Sequence, residues 1–428
     1  MTCFSSKKLL FIVFNIIFIS FVPFLSFLTS VLSLLLLSAS KSNISRDSGV
    51  GYIIICTFFL SLSTAISAYS QPIFLYEEQD FTTYYNNYIF FLENGFDFDG
   101  FVFGAGAEVA LPLINYFLSI VIQAEYPYLV KLCYILIQIS LFLWVIALIS
   151  IRYSLNWKRL ALLIALMFLF FKYGATLNHL RQGFSSFFVV LALFSSDRRS
   201  KTIFVILASL FHVSALVIYP VLLYVFKERC FKIALYNGVV VAIVAVVGFV
   251  VFKLMMDFVL GSDLFFLAKA KSAFMKASDE SFYLLAVKEA IVASIYAVFA
   301  LFILVFAKVK KGVFCQLFLL VVITIGFGYI PGLTTRLFAS VFTILMGYYF
   351  FMLFIQEYKF SHRLSLSVFL LLLFSINWFA NSAIFYYNFP LVAVKPFYYL
   401  SDLFLERGYV IRSSLPSEID MVIQNPYR

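Results

Sequence analysis

The sequence predicts an all-α membrane protein: a polytopic transmembrane helical bundle of roughly 11–13 passes, some paired as short hairpins, with an external loop carrying an interfacial helix. Three observations predict this. Of 428 residues, 64% are hydrophobic, 20% aromatic and only 12% charged, whereas a soluble domain carries roughly 25% charge. Mean hydropathy is +1.02. The apolar residues also fall into long windows, and in lipid only helices or closed barrels satisfy every backbone polar group. A soluble globule, a disordered chain, a coiled coil and a disulfide scaffold are excluded, because charge is sparse, heptads are lacking and five cysteines lie scattered singly. The excess of 31 Lys+Arg over 21 Asp+Glu reads as topology, since basic residues gather in cytoplasmic loops. It does not point to nucleic acid.

Eleven apolar windows follow in order: Leu9 to Ser38, Val50 to Ser70, Tyr128 to Ser150, Lys158 to Phe171, Gln182 to Ser195, Lys201 to Phe226, Ile233 to Met256, Phe282 to Ala307, Val313 to Ile330, Leu337 to Gln356 and Leu364 to Phe385. The first is too long for a signal-peptide core and no small-residue cleavage site follows it, so no cleavable leader is expected. Leu9 to Ser38 and Lys201 to Phe226 each read either as one long tilted helix or as two short ones. Charge favours two. Lys7, Lys8, Lys41 and Arg46 bracket the first; Arg198, Arg199, Lys201, Lys227, Arg229 and Lys232 bracket the second. Both ends of each window then belong in the cytoplasm.

With that choice the basic connectors Arg152 to Arg159, Lys308 to Lys311 and Lys359 to Arg363 all fall inside. The chain reads as one integral membrane domain, 1–428, with external segments at Gln71 to Tyr126, Asp257 to Ser281 and the tail from Tyr386 to Arg428 (386–428). The loop 71–126 holds Glu77, Glu78, Asp80, Glu93, Asp97, Asp99, Glu108 and Glu125 and no Lys or Arg. Within it, Glu108 to Ile122 is apolar but too short to span, which predicts an interfacial helix.

Ionisable residues at membrane depth are costly and mark candidate sites. The strongest cluster is Asn178-His179-Leu180-Arg181-Gln182, between two windows of 14 residues. Such a window covers about 21 Å of a core ~30 Å thick, so this turn is expected to sit below the outer surface, in a water-filled cavity. If Asn178 caps the next helix, Arg181 lies in its first turn, where free N–H groups and the helix dipole favour an anion, with Ser185 on the same face. Guanidinium suits a bidentate grip on phosphate; the alternative is a snorkelling arginine.

His212, at the centre of Ser209-Leu210-Phe211-His212-Val213-Ser214, is expected at the turn of the second hairpin, facing the same cavity, as a proton acceptor or phosphate contact. The other reading is a core histidine satisfied by Ser209 or Ser214. Arg336, entering the tenth window, is a second anion clamp or an interfacial anchor. In the acidic loop a general base is sought among Asp80, Glu93, Asp97, Asp99 and Glu108, set against a merely solvated surface. Tyr84, Tyr85, Tyr88 and Phe96 are candidate platforms for sugars. A Gly-rich phosphate loop, paired-cysteine metal spacing and a Gly-x-Ser-x-Gly elbow are missing from the sequence, so no metal or other cofactor is expected.

The pattern resembles the bacterial polysaccharide polymerases of the EpsG and Wzy type. Asp80-Phe81-Thr82-Thr83-Tyr84 is similar to that family's Asp-x-x-x-Tyr loop start, followed by Glu108 and Leu113-Ile114-Asn115-Tyr116-Phe117. Asn178-His179-Leu180-Arg181-Gln182-Gly183 resembles its Asn/Arg-Gln motif, and Ala208-Ser209-Leu210-Phe211-His212-Val213-Ser214-Ala215 its Ala-x-x-Phe-His-x-Ser-Ala. Glu108 departs from the pattern in lacking the Pro-Gly pair that often follows.

The resemblance implies a multi-pass enzyme of the bacterial inner membrane that joins oligosaccharide units carried on undecaprenyl diphosphate at the periplasmic face. The product is O-antigen, capsule or exopolysaccharide. Arg181, His212, Asp80 and Glu108 are then the candidate catalytic residues, and Asn178, His179, Gln182, Ser185 and Arg336 the candidate substrate contacts. The partners are the lipid-linked glycan, membrane lipids and a candidate chain-length regulator. A flippase for the same lipid and an O-antigen ligase stay open as alternatives, although no internal repeat of the transporter kind is evident.

Overall fold

The computed structural model describes residues 2–40, 45–69, 80–101, 103–227, 230–260, 311–327 and 339–356. Every regular element among them is helical. Arg336, the windows Phe282 to Ala307 and Leu364 to Phe385, and the tail 386–428 lie outside the described residues. By length and composition, three helices there can cross a membrane, at Arg46–Tyr69, Pro127–Arg152 and Phe231–Val251. Shorter apolar helices accompany them, among them Pro23–Ala39, Leu180–Phe194 and Ala215–Phe226.

The first window is a hairpin. Helix α1 (Thr2–Phe21) stops at Val22 and α2 (Pro23–Ala39) starts on a proline, which suits a first helical position because it has no N–H to satisfy. Asn15 Oδ1 accepts hydrogen bonds from Ser26 Oγ at 2.8 Å and Thr29 Oγ1 at 3.0 Å. In a continuous helix Asn15 and Thr29 would stand about 21 Å apart along the axis, so the chain has doubled back. Helix α3 (Arg46–Tyr69) then packs on both, with Ile19, Phe59 and Ile66 forming a small core.

By chain contact the molecule divides into two units, and the described part of the first is built from residues up to Leu216 together with Phe342–Tyr348. It contains α4 (Asp80–Asn94), α5 (Ala110–Ile122), α6 (Pro127–Arg152), α7 (Trp157–Phe170), α8 (Tyr173–Asn178), α9 (Leu180–Phe194) and α10 (Arg198–Phe211). Its long helices alternate in direction. At one end Arg152 closes α6 and donates to the Leu193 carbonyl near the finish of α9, at 2.6 Å. Lys158, opening α7, donates to the Ser40 carbonyl that ends α2, also at 2.6 Å. These cations meet helix C-termini, where free carbonyls and the dipole favour them. The opposite end of α6, α9 and α10 carries the acidic loop.

From Asp80 onward that loop has a buried face of its own. Helix α4 buries Phe81, Tyr84, Tyr85, Tyr88 and Phe91, so the tyrosines are core and do not offer their faces to sugars. The Tyr88 hydroxyl donates to the Ala124 carbonyl at 2.7 Å. The helix predicted over Glu108 to Ile122 is α5, two residues shorter at its start. It turns Leu111, Asn115 and Ser119 inward and leaves Phe117, Ile120 and Val121 exposed.

In the described part of the second unit, α12 (Phe231–Leu260) packs on α13 (Lys311–Gly326). An added Cβ at Gly238 would lie 2.7 Å from the Phe318 ring. The sixth window breaks as expected at His212–Ser214, after which α11 (Ala215–Phe226) begins.

Gly347, in the first residues of α14 (Met346–Gln356), presses its backbone on α7: an added Cβ would lie 2.5 Å from Met167 Cα and against the Leu166 carbonyl. Backbone cannot retreat as a side chain tip can. Gly347→Ala should therefore cost about 1–3 kcal/mol, read as a lower unfolding temperature in detergent.

Candidate active site

Glu108 sits in the segment just before α5, and its N–H donates to the Phe103 carbonyl at 3.2 Å. Its side chain is 1% exposed. A buried carboxylate needs partners, and Glu108 has three. Arg181 Nη1 donates to Oε2 at 2.6 Å. The Val213 N–H donates to Oε1 at 3.3 Å. His212 Nδ1 lies 3.3 Å from the same Oε1.

Arg181 is the second residue of α9, in its first turn as the sequence suggests, but the cap differs. Asn178 ends α8, and the N-cap position belongs to His179, whose side chain makes no cap hydrogen bond. Asn178 is therefore not the N-cap of α9. Ser185 does lie on α9 but is 1% exposed. The guanidinium rests against two rings, Phe103 at 4.9 Å and Tyr84 at 5.8 Å, which themselves meet edge to face. Such cation–π contacts strengthen as water is removed. Burial pushes the Tyr84 hydroxyl up to about 12, with the Asp80 charge adding to the shift and Arg181 opposing it. It stays neutral near pH 7, so among the described residues the negative charge paired with Arg181 is that of Glu108.

His212 caps the C-terminal end of α10, and its N–H donates to the Ala208 carbonyl at 2.9 Å. Its Nδ1 faces Ser214 as well as Glu108: the Ser214 N–H is 3.3 Å away and Ser214 Oγ 3.1 Å. Without a proton, Nδ1 accepts from Ser214; carrying one, it donates toward Glu108. Ser214 Oγ also reaches Gln182 Oε1 at 3.5 Å, and Gln182 Nε2 reaches Ser186 at the same distance. Nearby, His179 Nδ1 and Asp80 Oδ2 pair at 2.8 Å, with side chains 53% and 43% exposed. Exposure of that degree makes the pair weak.

Residues 73 and 105 positions from Glu108 are thus brought onto one carboxylate. Of the candidates from sequence, Glu108, Arg181, His212 and Gln182 converge, while Asp80 and His179 form a separate pair. Sequence reasoning missed Phe103, Tyr84 as a cation contact, and the Val213 N–H. Ser214 was signalled by its place in the Phe-His-x-Ser stretch; for Phe103 no local signal exists.

The model for the EpsG family matches residues 52–391. The chain belongs to the EpsG family. Membership makes it a membrane protein of the polysaccharide-polymerase type. The matched stretch takes in all four converging residues. No curated protein and no solved structure matches significantly.

Proposed function

We propose that this EpsG-family protein joins undecaprenyl-diphosphate-linked oligosaccharide repeat units at the periplasmic face of the bacterial inner membrane. The observation that carries the reading is the convergence of Arg181 and His212 on the buried Glu108. In the reaction a hydroxyl oxygen at the non-reducing end of the acceptor unit attacks the anomeric carbon of the donor glycan. The bond from that carbon to the lipid diphosphate breaks, its electron pair leaves with the diphosphate, and the hydroxyl proton goes to a base.

Charge gathers on the departing diphosphate, so a cation fixed in advance is the group that lowers the barrier. Arg181 has that character: Glu108 holds one Nη, the Phe103 and Tyr84 rings pack against the guanidinium, and the side chain keeps 27% exposure for a ligand. Guanidinium keeps its charge on burial, which ammonium does not do as readily. His212 takes the hydroxyl proton, and Glu108 beside Nδ1 stabilises the imidazolium that results. Asp80 and the His179 it pairs with, two residues before Arg181, are assigned to the approach of the glycan.

Loss of the chain tests the reaction directly. Where a surface polymer depends on it, deletion should leave single repeat units on the lipid, accessible from the periplasm, with no ladder on a gel. Units trapped on the cytoplasmic face would instead mark a flippase.

His212→Gln keeps size and a hydrogen-bonding tip but removes titration. Polymer output should fall by about 10² or more, the usual contribution of a positioned base. Unchanged output and unchanged pH dependence at equal protein level would take His212 out of the mechanism.

A further inference from the structure

Two buried polar side chains on α6 take no part in the chemistry above. Tyr134 and Gln138 are four residues apart, hence on one face and one turn from each other, and both are fully buried. The Tyr134 hydroxyl donates to Asn115 Oδ1. The Asn115 amide donates in turn to Asn87 Oδ1 at 2.8 Å and the Tyr84 carbonyl at 3.1 Å. Asn115 belongs to α5, the helix that Glu108 leads into.

Gln138 serves the other side. Its Nε2 donates to the Thr176 carbonyl at 3.0 Å, and Thr176 Oγ1 donates back to Gln138 Oε1 at 2.9 Å. Thr176 lies in α8, and its carbonyl meets the backbone of Gly183 so closely that an added Cβ there would clash. The first turn of α9, which carries Arg181, is thereby pressed onto the residue that Gln138 holds.

We propose that Tyr134 and Gln138 are positioning residues, with α6 acting as a post that registers the Glu108 segment against the Arg181 turn. Apolar contact alone would hold these helices together, but it tolerates sliding. Satisfied buried polar groups admit far fewer arrangements, because any other leaves a donor or acceptor unpaired. The value of Tyr134 and Gln138 for catalysis rests on the reading of the pair as a polymerisation centre. Their setting of its register does not.

The test uses the full chain in detergent with its five native cysteines replaced by serine. Glu108→Cys and Arg181→Cys are introduced together, and the yield of bridging by a short bis-methanethiosulfonate reagent is measured with and without Tyr134→Phe or Gln138→Met. Both second changes keep bulk and remove hydrogen bonds. The expected result is a several-fold loss of bridging for each, at an unfolding temperature close to that of the parent. In the chain that keeps Glu108 and Arg181, the same two changes should lower polymer output about 10-fold or more, since displacement of about 1 Å far from the chemistry is that costly.

Undiminished bridging in both variants, or a loss seen only alongside collapse of the unfolding temperature, would overturn the proposal. Full polymer output from Arg181→Ala would instead remove the polymerisation reading, while the bridging result stood on its own.

Discussion

Arg181→Lys is expected to abolish long polymer almost as completely as Arg181→Ala. Lysine keeps the charge but not the fork. Arginine spends one Nη on Glu108 and still presents further N–H groups in one plane, with the Phe103 and Tyr84 rings packed against it. An ammonium that reaches Glu108 forms a compact, strongly hydrated ion pair with no planar remainder for a second, parallel grip on phosphate. Loss of one donor prepared for a developing anion typically costs ~3–4 kcal/mol, or about 10² to 10³ in rate. In cells that leaves single repeat units on the lipid. Polymer length on a gel at matched membrane abundance is the measurement, and wild-type length from the lysine variant would reduce Arg181 to an anchor.

Glu108→Gln is expected to be as damaging, for a different reason. The carboxylate is buried and serves two donors at once, Arg181 Nη1 on one oxygen and the Val213 N–H on the other. An amide can accept from only one of them and turns its own N–H₂ toward the other. Removal of one member of a buried pair costs about 3–5 kcal/mol, and the lower figure applies because Arg181 retains some solvent. The reversed pair, Glu108→Arg with Arg181→Glu, should not restore function. Arginine has no acceptor for the Val213 N–H, and the carboxylate would stand where the diphosphate must bind. Both variants are read as polymer output and unfolding temperature, and a functional reversed pair would contradict the assigned roles.

Much of this was legible in the residues because the cause is local. The hydrophobic windows gave α3, α6, α7, α9 and α12 within a few residues, since lipid demands long apolar helices. The hairpin in the first window followed from basic residues at both of its ends; its place at Val22 did not. The break at His212 followed from charge in the same way. Arg181 in a first turn came from a polar run between two short windows.

What escaped the sequence reading depends on contacts between distant segments. Helix α4 is built of Tyr84, Tyr85, Asn87 and Tyr88, whose polar tips lower hydropathy and disguise a buried face as a solvated loop. Its tyrosines pair with partners as far away as Ala124 and Arg181. The partner of Arg181 was hidden for the same reason, because nothing in the spacing of an acidic loop distinguishes Glu108 from Glu93 or Asp97. Only the fold brings Glu108 under the α9 turn, and the family resemblance pointed to it without giving its role. Arg336 falls outside the described residues.

The most direct measurement follows the purified chain in lipid discs supplied with a synthetic undecaprenyl-diphosphate-linked repeat unit. The assay counts lipid diphosphate released and linkages formed. The wild-type chain should release one lipid diphosphate for each linkage and build a ladder of products, and Arg181→Ala, folded to the same unfolding temperature, should do neither above background. Release and extension by Arg181→Ala at the wild-type rate would contradict the account, as would their absence with the wild-type chain.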